Sequence, residues 1–523
     1  MSLPTEKVDA IVVGSGAAGS TVAANLARGG KQVHILEAGP RLQNSDLVSS
    51  TLWARRLKWS GAPVVESGNN PVGHGFNAGS GLGGSAMHHY AVWPRFHAED
   101  FQMYERYQRG LNWPISYDDL RPFYDQVQRE AGVSGDAALE KWRPAGDDYP
   151  MAPVPLFAQG KLIQNGFDKL GMHTAPLPLA VNSEVYNGRA PCIWDGWCDA
   201  GCPIGALANP QTVYLPIATS NKAVIHTDTT VTRLLTDASG EKIDAVEVVT
   251  KNGTRKRLSA DVIVLAAFSV QNPRILLASA NDRHPEGLAN SSGTLGRYMM
   301  SHAAGLIYGL FAEDTQCYMG AFGGQLVNQD NYQKDSHADS GAFGSYQWMV
   351  AQAVKPNDLL GIATTRGDLF GVKLEAFMQR AAKGFAGMTA VVEDMPLAGN
   401  RLTLNARKDE YGVPLASVHH STDPASIALW QATLTEGQAV FNAAGADEVW
   451  TGPQGSMHIM GGTIMGADST SSVCDGFGRC HDFENLYIAG PGLFPTSAGV
   501  NPTFTAQALA ARSADHLLNN WPA

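Results

Sequence analysis

Residues 9–19 read DAIVVGSGAAG, and residues 33–39 read VHILEAG. The apolar run from Asp9 to Val13 has the composition of a buried strand, and a Gly-rich turn follows it directly. An Ala-rich segment then predicts a helix up to Arg28, and Val33 to Leu36 predicts a second strand that ends at Glu37. This order of strand, glycines, helix, strand and acidic residue is typical of a dinucleotide-binding βαβ unit. It predicts an α/β fold with a Rossmann-like domain.

The residue types explain how this unit would hold a dinucleotide. The glycines allow a tight turn and let a pyrophosphate approach the helix N-terminus, while the Glu37 carboxylate can accept a hydrogen bond from a ribose hydroxyl. The alternative is an ordinary strand-to-helix turn with an incidental Glu37. The spacing does not separate NAD from FAD. The expected cofactor contacts in this unit are Gly14, Gly16, Ala17, Gly19, Glu37 and Ala38.

Composition excludes several classes of protein. The 523 residues exceed one domain, and 44% hydrophobic against 17% charged residues favours a large core and excludes global disorder. The net charge of −11 and the absence of a basic run argue against a nucleic-acid partner. No apolar run reaches the roughly 18 residues of a membrane span. The polar opening from Met1 to Asp9 leaves no room for a secretory signal before the first strand.

Further motifs follow the first unit in a defined order. They are Gly83-Gly84-Ser85, Val264-Leu265-Ala266-Ala267 leading into Asn272-Pro273-Arg274, Leu295-Gly296-Arg297 with Ser301-His302, His458-Ile459-Met460-Gly461 with Met465-Gly466, and Asn501-Pro502. Together they resemble the glucose–methanol–choline (GMC) oxidoreductases over nearly the whole chain. The resemblance implies FAD as cofactor and oxidation of an alcohol by hydride transfer to flavin N5. It also implies a Rossmann-like FAD-binding domain of GMC type and a substrate domain built on an antiparallel sheet with helices.

Five segments are expected from this resemblance and from the composition of the chain. Residues 1–150, 216–302 and 456–523 would form the FAD-binding domain, the last with the catalytic residues. Residues 303–455, which lack dinucleotide motifs, would form the substrate-binding domain. Residues 151–215 would form a cap segment that carries a cysteine cluster.

Two residues are expected to act on the alcohol. A histidine that titrates near neutrality suits the transfer of the hydroxyl proton. His458 precedes a Gly-rich stretch that allows close approach to the flavin, and the resemblance gives it this role. Asn501 would hydrogen-bond the substrate oxygen. The alternatives are a satisfied core or surface histidine at 458, and at Asn501 merely the residue before a helix-starting proline.

The resemblance adds further contacts to FAD. His88 occupies the position at which some relatives tether the flavin covalently; the alternative is that His88 and His89 line the isoalloxazine without a bond. The added contacts are Gly83, Ser85, His88, His89, Val231, Ala266, Gly490 and Pro502.

Three of the six cysteines lie close together, as Cys192, Cys198 and Cys202. Six cysteines are too few for a disulfide scaffold in a chain of this length. Thiolates around a Gly- and Asp-rich turn are ligands of metal clusters, and zinc would require a fourth ligand. A [3Fe-4S] cluster is therefore expected, with three buried structural thiols as the alternative. A disulfide between Cys474 and Cys480 also stays open.

The cysteine spacing, with Cys202-Pro203-Ile204-Gly205-Ala206, resembles the catalytic subunits of bacterial FAD-dependent sugar and polyol dehydrogenases within this family. That resemblance implies a cluster that relays electrons from the flavin to a cytochrome or quinone-linked acceptor. The chain has no C-x-x-C-H sequence, so a haem would lie on another polypeptide. The implied partners are a small signal-bearing subunit and a multihaem cytochrome c subunit, with membrane association only through them.

The expected function is therefore a dehydrogenase acting on a sugar, polyol or glycoside hydroxyl. The expected location is the periplasmic face of the inner membrane through a co-exported partner, with the cytoplasm as the alternative. Two rival functions are an oxygen-using alcohol oxidase with structural cysteines and a non-catalytic flavoprotein subunit.

Overall fold

The computed structural model describes residues 3–58 and 61–522. Numbered in chain order, the strands are β1 (Val8–Val13), β2 (Val33–Leu36), β3 (Val64–Ser67), β4 (Ala175–Pro176), β5 (Val224–His226), β6 (Thr229–Thr236), β7 (Ile243–Thr250), β8 (Arg255–Leu265), β9 (Met300–Leu310), β10 (Leu326–Asn328), β11 (Tyr346–Val350), β12 (Phe385–Val392), β13 (Arg401–Lys408), β14 (Pro414–His419), β15 (Glu448–Thr451), β16 (Gly455–Met460) and β17 (Leu486–Ile488). The α-helices are α1 (Ala17–Arg28), α2 (Thr51–Leu57), α3 (His74–Asn77), α4 (Met103–Tyr107), α5 (Tyr117–Ala131), α6 (Ala158–Lys169), α7 (Tyr214–Ser220), α8 (Gln271–Ala278), α9 (Pro356–Ala363), α10 (Val372–Gly384), α11 (Pro424–Ala444) and α12 (Thr503–Asn519).

The first sheet has the strand order β5-β2-β1-β8-β7-β6, with β17 also paired to β8. Strands β5, β2, β1, β8 and β17 run parallel, whereas β6 and β7 form an antiparallel hairpin. Residues 10–13 of β1 are apolar and buried, as a central strand covered on both faces requires. The predicted Rossmann-like domain is confirmed.

Glycines bring α1 close to this sheet. A Cβ on Gly19 would collide with the Gly14 carbonyl oxygen, and one on Gly14 would collide with the Ala266 carbonyl oxygen. Gly14 also has φ +101°, which L side chains rarely adopt. The turn between β1 and α1 therefore accepts only glycine at position 14, as a dinucleotide-binding turn does.

The second sheet is antiparallel, in the order β15-β9-β12-β11-β10-β4, with β16 also paired to β9. One face packs on α6 and α11 through an apolar cluster that includes Ile307, Trp348, Met388 and Phe441. Alternate residues of the same strands face the other way, because side chains alternate along a strand. The prediction of an antiparallel sheet with helices is confirmed.

A small third sheet, β13-β14-β3, completes the fold. Strand β16 crosses the domain limit predicted at residue 456, and the five predicted segments stay a prediction. Among the residues that the structure describes, no helix is long and apolar enough to cross a membrane.

Candidate active site

A cavity of about 1760 Å³ lies where the carboxyl ends of β1, β2 and β8 meet the open face of the second sheet. Clefts at the carboxyl edge of parallel strands are the usual ligand sites of such folds. The cavity is lined by every predicted cofactor contact except Gly19 and Gly83, and by both predicted catalytic residues, His458 and Asn501.

One end of the cavity has the features of a dinucleotide site. The Glu37 carboxylate is buried and accepts hydrogen bonds from Ser15 Oγ at 2.5 Å and from the Gly39 backbone at 2.9 Å. Burial raises the pKa of Glu37, and these donors oppose the shift. The Gly83 amide donates to Ser15 Oγ at 2.9 Å, which ties the second glycine cluster to the first.

The N-terminus of α1 provides the complementary charge. Gly16 is its N-cap, no side chain caps it, and its first turn carries no acidic residue. A Cβ on Gly16 would find only one neighbour within 4 Å, the Gly83 carbonyl oxygen at 3.9 Å. Free amides and the positive end of the helix dipole therefore face open space, which suits a pyrophosphate. The residues present fit a dinucleotide.

Two histidines line the cavity beside the second glycine cluster. His89 is fixed through both ring nitrogens, by the Ala208 carbonyl at 2.8 Å and the Ala91 amide at 3.1 Å. His88 Nε2 is buried without a hydrogen-bond partner among the described residues. Burial lowers the pKa of His88 to about 3, so its ring is neutral.

A β-bulge places His458. In the pairing of β16 with β9, Met457 lies opposite His302 and Ile459 opposite Ser301, so His458 is the extra residue. It has φ +62°, an uncommon conformation for a residue with a side chain. Bulges redirect side chains next to active sites. Here His458 Nδ1 lies 2.9 Å from His302 Nδ1.

The hydrogen bonds of His302 determine the tautomer of His458. His302 Nε2 lies 2.8 Å from the Ala498 carbonyl and 3.1 Å from the Ser497 carbonyl, so it carries the proton. Burial lowers the pKa of His302 to about 4, which leaves the ring neutral and Nδ1 an acceptor. His458 Nδ1 therefore donates, and His458 Nε2 keeps a lone pair. Burial and then the neighbouring His302 hold the pKa of His458 well below its ordinary value.

Asn501 is oriented by a second chain of hydrogen bonds. Its Oδ1 accepts from Gln347 Nε2 at 2.7 Å, and Gln347 Oε1 accepts from Gln329 Nε2 at 3.0 Å. The Asn501 amide nitrogen consequently points to His458 Nε2, at 3.1 Å. A base and a hydrogen-bond donor thus lie side by side at the cavity wall.

The sequence comparisons agree with this geometry. Two models described as GMC oxidoreductase match residues 8–304 and 396–510. This chain belongs to the GMC oxidoreductase family. It is 30% identical to the fructose dehydrogenase large subunit of Gluconobacter japonicus, over 99% of both chains. It is 29% identical to the 2-methyl-1,2-propanediol dehydrogenase of Mycolicibacterium austroafricanum, over 99% of this chain and 96% of that one.

A solved structure shows the same fold. It is an FAD-dependent oxidoreductase from Chaetomium thermophilum, similar with a TM-score of 0.70 at 13% identity over 98% of this chain and 99% of that one. The protein is thus a GMC oxidoreductase that uses FAD and acts on hydroxyl donors.

Two functional residues of this GMC oxidoreductase were missed by sequence reasoning. His302 was quoted only as part of a short motif, and Gln347 was not singled out at all. Both reach the site through pairing between strands far apart in the chain. The one signal in the sequence was the position of His302 beside Ser301 in a motif shared with the family.

The three clustered cysteines lie just behind the cavity wall of the GMC oxidoreductase. Each sulfur accepts a backbone N–H: Cys192 from Trp194 at 3.3 Å, Cys202 from Leu207 at 3.4 Å and Cys198 from Phe322 at 3.5 Å. Phe322 also lines the cavity. The three thiols pack in or against one apolar cluster, and burial raises the pKa of each, that of Cys192 to about 12.

Within residues 3–58 and 61–522, no group of three or more His, Cys, Asp or Glu side chains has the arrangement of a metal site. All six cysteines are free thiols. Cys474 and Cys480 lie opposite each other in an isolated antiparallel backbone pairing, without a disulfide between them. Cys thiolates are nevertheless the usual ligands of iron–sulfur clusters, so the residue types present are compatible with one.

Proposed function

We propose that this GMC oxidoreductase is a dehydrogenase in which His458 takes the hydroxyl proton of an alcohol. One observation carries the proposal. His458 Nδ1 carries the ring proton and donates it to His302. The in-plane lone pair of the neutral His458 ring therefore lies on Nε2, and the ring lines the cavity wall. The pKa of His458, held low by burial and then by His302, keeps this nitrogen unprotonated at neutral pH.

The reaction divides two hydrogens between two acceptors. Bound FAD would accept the hydride from the alcohol carbon. His458 Nε2 accepts the hydroxyl proton, and the carbon–oxygen single bond becomes the carbonyl of the product. The Asn501 amide, which points to His458 Nε2 at 3.1 Å in this structure, would turn to donate to the same oxygen and hold it beside the base. Asn501 is buried, and His458 is half-buried at the cavity wall.

Substitution of His458 tests the base. His458→Ala should keep bound FAD, because the hydrogen bonds of Glu37 and the glycine turn at Gly16 do not involve His458. Turnover should fall about 10²- to 10⁴-fold, the usual contribution of a general base. Asn501→Ala should cost less, because it removes one oriented hydrogen bond. The readout is reduction of an artificial acceptor by an alcohol.

The exposed histidine at position 419 offers a matched control. His419→Ala should leave turnover unchanged. Near-normal turnover of His458→Ala with FAD bound would remove His458 from the proposal.

A [3Fe-4S] cluster held by Cys192, Cys198 and Cys202 is the second part of the proposal. Three features support it: the three sulfurs share one region, each accepts a backbone N–H, and Phe322 joins Cys198 to the cavity wall. Such a cluster passes electrons singly between a two-electron donor and a one-electron acceptor. Burial raises the pKa of these thiols, so they stay protonated without a metal. A bound metal would compensate the negative charge and allow them to ligate as thiolates.

The partners follow from this part of the proposal. We propose a small signal-bearing subunit and a multihaem cytochrome c subunit, with the complex at the periplasmic face of the inner membrane. The similarity to a fructose dehydrogenase large subunit supports a complex of several chains. Co-purification with products of neighbouring genes tests this part.

The alternative is an oxidase that passes electrons to O₂ and uses its cysteines only for packing. Iron content separates the two, since only the dehydrogenase needs the metal. A bond between FAD and His88 is a further open point. The unpartnered Nε2 of His88 is compatible with a bond or with simple contact. Release of the flavin by acid precipitation would show that no bond exists.

A further inference from the structure

The substrate half of the cavity has a floor made by the open face of the second sheet. Its residues alternate along their strands: Leu306 and Tyr308 on β9, Phe385 and Thr389 on β12, and Met349 on β11. These side chains lie on the same face of the second sheet as those of His302 and Gln347, because side chains at every second position of a strand share one face. A substrate whose hydroxyl lies at His458 therefore extends over this floor.

The pairing of β11, β12 and β9 shows which floor residues lie in the same row and how far each row is from Gln347. Gln347, which holds Asn501, pairs with Val391, and Val391 pairs with Ala304. The next row on this face consists of Met349, Thr389 and Leu306, about 7 Å further along the strands. Tyr308 lies about 7 Å beyond Leu306. This next row therefore presents the Met349 thioether, the Leu306 alkyl chain and the methyl and hydroxyl groups of Thr389.

Of the two hydroxyls on this floor, only that of Thr389 has a hydrogen-bond partner among the described residues. Thr389 Oγ1 donates to Gln352 Oε1 at 2.5 Å, and Gln352 Nε2 lies 3.5 Å from the Phe322 carbonyl. Of the charged residues on the α2 and α9 side of the cavity, Lys58 and Asp358 are engaged, whereas Arg55 and Arg56 form no ion pair with the described residues. Lys58 Nζ lies 2.9 Å from Asp199, and Asp358 accepts the Lys355 amide at 2.9 Å.

We infer that the substrate is an alcohol with an apolar body, carrying at most one further polar group, which would lie near the Tyr308 hydroxyl. The inference rests on the proposed function and departs from the sugar and polyol class that the sequence resemblance implies. A free hexose or linear polyol would bury several hydroxyls against hydrocarbon. Each unpaired hydroxyl costs roughly 5- to 100-fold in affinity, and the pocket offers few partners to recover it.

A substrate panel tests the inference on the FAD-loaded enzyme. Cyclohexylmethanol and 2-phenylethanol represent apolar alcohols, and glucose and sorbitol represent sugars and polyols. With an artificial acceptor, kcat/KM should be at least 100-fold higher for the apolar alcohols. An equal or higher kcat/KM for glucose or sorbitol would overturn the inference but leave the proposed function intact. Failure of every compound in both groups to reduce the flavin would instead count against the proposed function.

A substitution in the floor makes the test specific to this surface. Leu306→Gln adds an amide to the row beside Thr389 and should lower kcat/KM for cyclohexylmethanol at least 10-fold. The matched control is Phe370→Gln, at a side chain that is 87% exposed and outside the cavity lining, and it should leave kcat/KM unchanged. Unchanged selectivity of a folded, FAD-loaded Leu306→Gln enzyme would show that the floor does not select the substrate.

Discussion

In the proposed reaction, His302 would act through His458 as a positioning residue. His302 Nδ1 accepts a hydrogen bond from the Nδ1–H group of His458. The Nε2–H group of His302 donates to the carbonyls of Ser497 and Ala498. This arrangement keeps the reactive lone pair of His458 on Nε2. The same function is served by second-layer carboxylates in catalytic triads, which fix a histidine tautomer. Here a neutral imidazole replaces the carboxylate.

Substitution of His302 should separate positioning from folding. His302→Leu removes the acceptor for His458 Nδ1, so kcat should fall about 10- to 100-fold while KM changes little. Glutamine carries an acceptor and a donor on one amide, and His302→Gln should recover much of the lost kcat. Equal losses in the two variants, or a loss confined to KM, would contradict the positioning role.

At the residue scale, the sequence predicted which side chains belong to the site better than it predicted the hydrogen bonds between them. His458 and Asn501 stood out because their motifs resemble family motifs. The bulge at Met457 and Ile459 was not predictable, since it arises from pairing with a strand more than 150 residues away. Gln347 was missed for the same reason, because no local pattern marks a glutamine that faces a distant asparagine.

At the scale of elements, Asp394 joins the strands that carry the site. It follows β12, accepts the Ser301 amide of β9 at 2.9 Å and contacts His420 Nε2, just after β14, at 2.7 Å. Both side chains of the His420–Asp394 pair are almost fully buried. Burial alone would lower the pKa of His420, but the Asp394 carboxylate more than offsets this, and the pKa is raised. The pair therefore holds the start of β9, next to His302, in place.

The raised pKa of His420 makes this stabilisation depend on pH. A histidine whose folded pKa exceeds its unfolded value stabilises the fold fully below about pH 6.5, and this contribution is lost as the pH rises through the folded value. His420→Gln should therefore lower the free energy of unfolding by about 1.5–3 kcal/mol at pH 5.5 and by less at pH 9. Thermal unfolding at the two pH values measures the difference, with His419→Gln as the exposed control. The same loss at both pH values would show that the charge of His420 does not contribute.

Local elements were predictable where their pattern is local. The strand, glycine turn, helix and strand at the start of the chain were confirmed as β1, α1 and β2, and the helix-starting proline after Asn501 is followed by α12. The second sheet could be anticipated only as an antiparallel architecture. Its strands are short and far apart in sequence, so their order and register depend on contacts between them that no single segment encodes.

At the scale of the whole molecule, the cavity and the cysteines occupy adjacent regions. Phe322 lines the cavity and also donates its amide to Cys198. Cys198→Ser replaces a soft thiolate with a hard hydroxyl and should abolish cluster assembly. The folded variant should still oxidise an alcohol with a small artificial acceptor, whereas reduction of the cytochrome partner should nearly stop. Wild-type protein should contain about three irons per flavin.

The buried thiol of Cys317 provides a matched control. Cys317→Ser should keep both iron and cytochrome-linked activity, because it lies outside the apolar cluster of the three cysteines. Iron-free wild-type protein with full cytochrome-linked activity would reduce the three cysteines to a packing role and favour the oxidase alternative.

The central claim is that this GMC oxidoreductase removes hydrogen from an alcohol with His458 as the base. The most direct measurement is anaerobic single-turnover reduction of the bound flavin by cyclohexylmethanol, in the wild type and in His458→Ala. We expect bleaching of the wild-type flavin, slowed when the carbinol carbon carries deuterium, and at least 100-fold slower bleaching in His458→Ala. Bleaching at equal rates in the two proteins would contradict this claim.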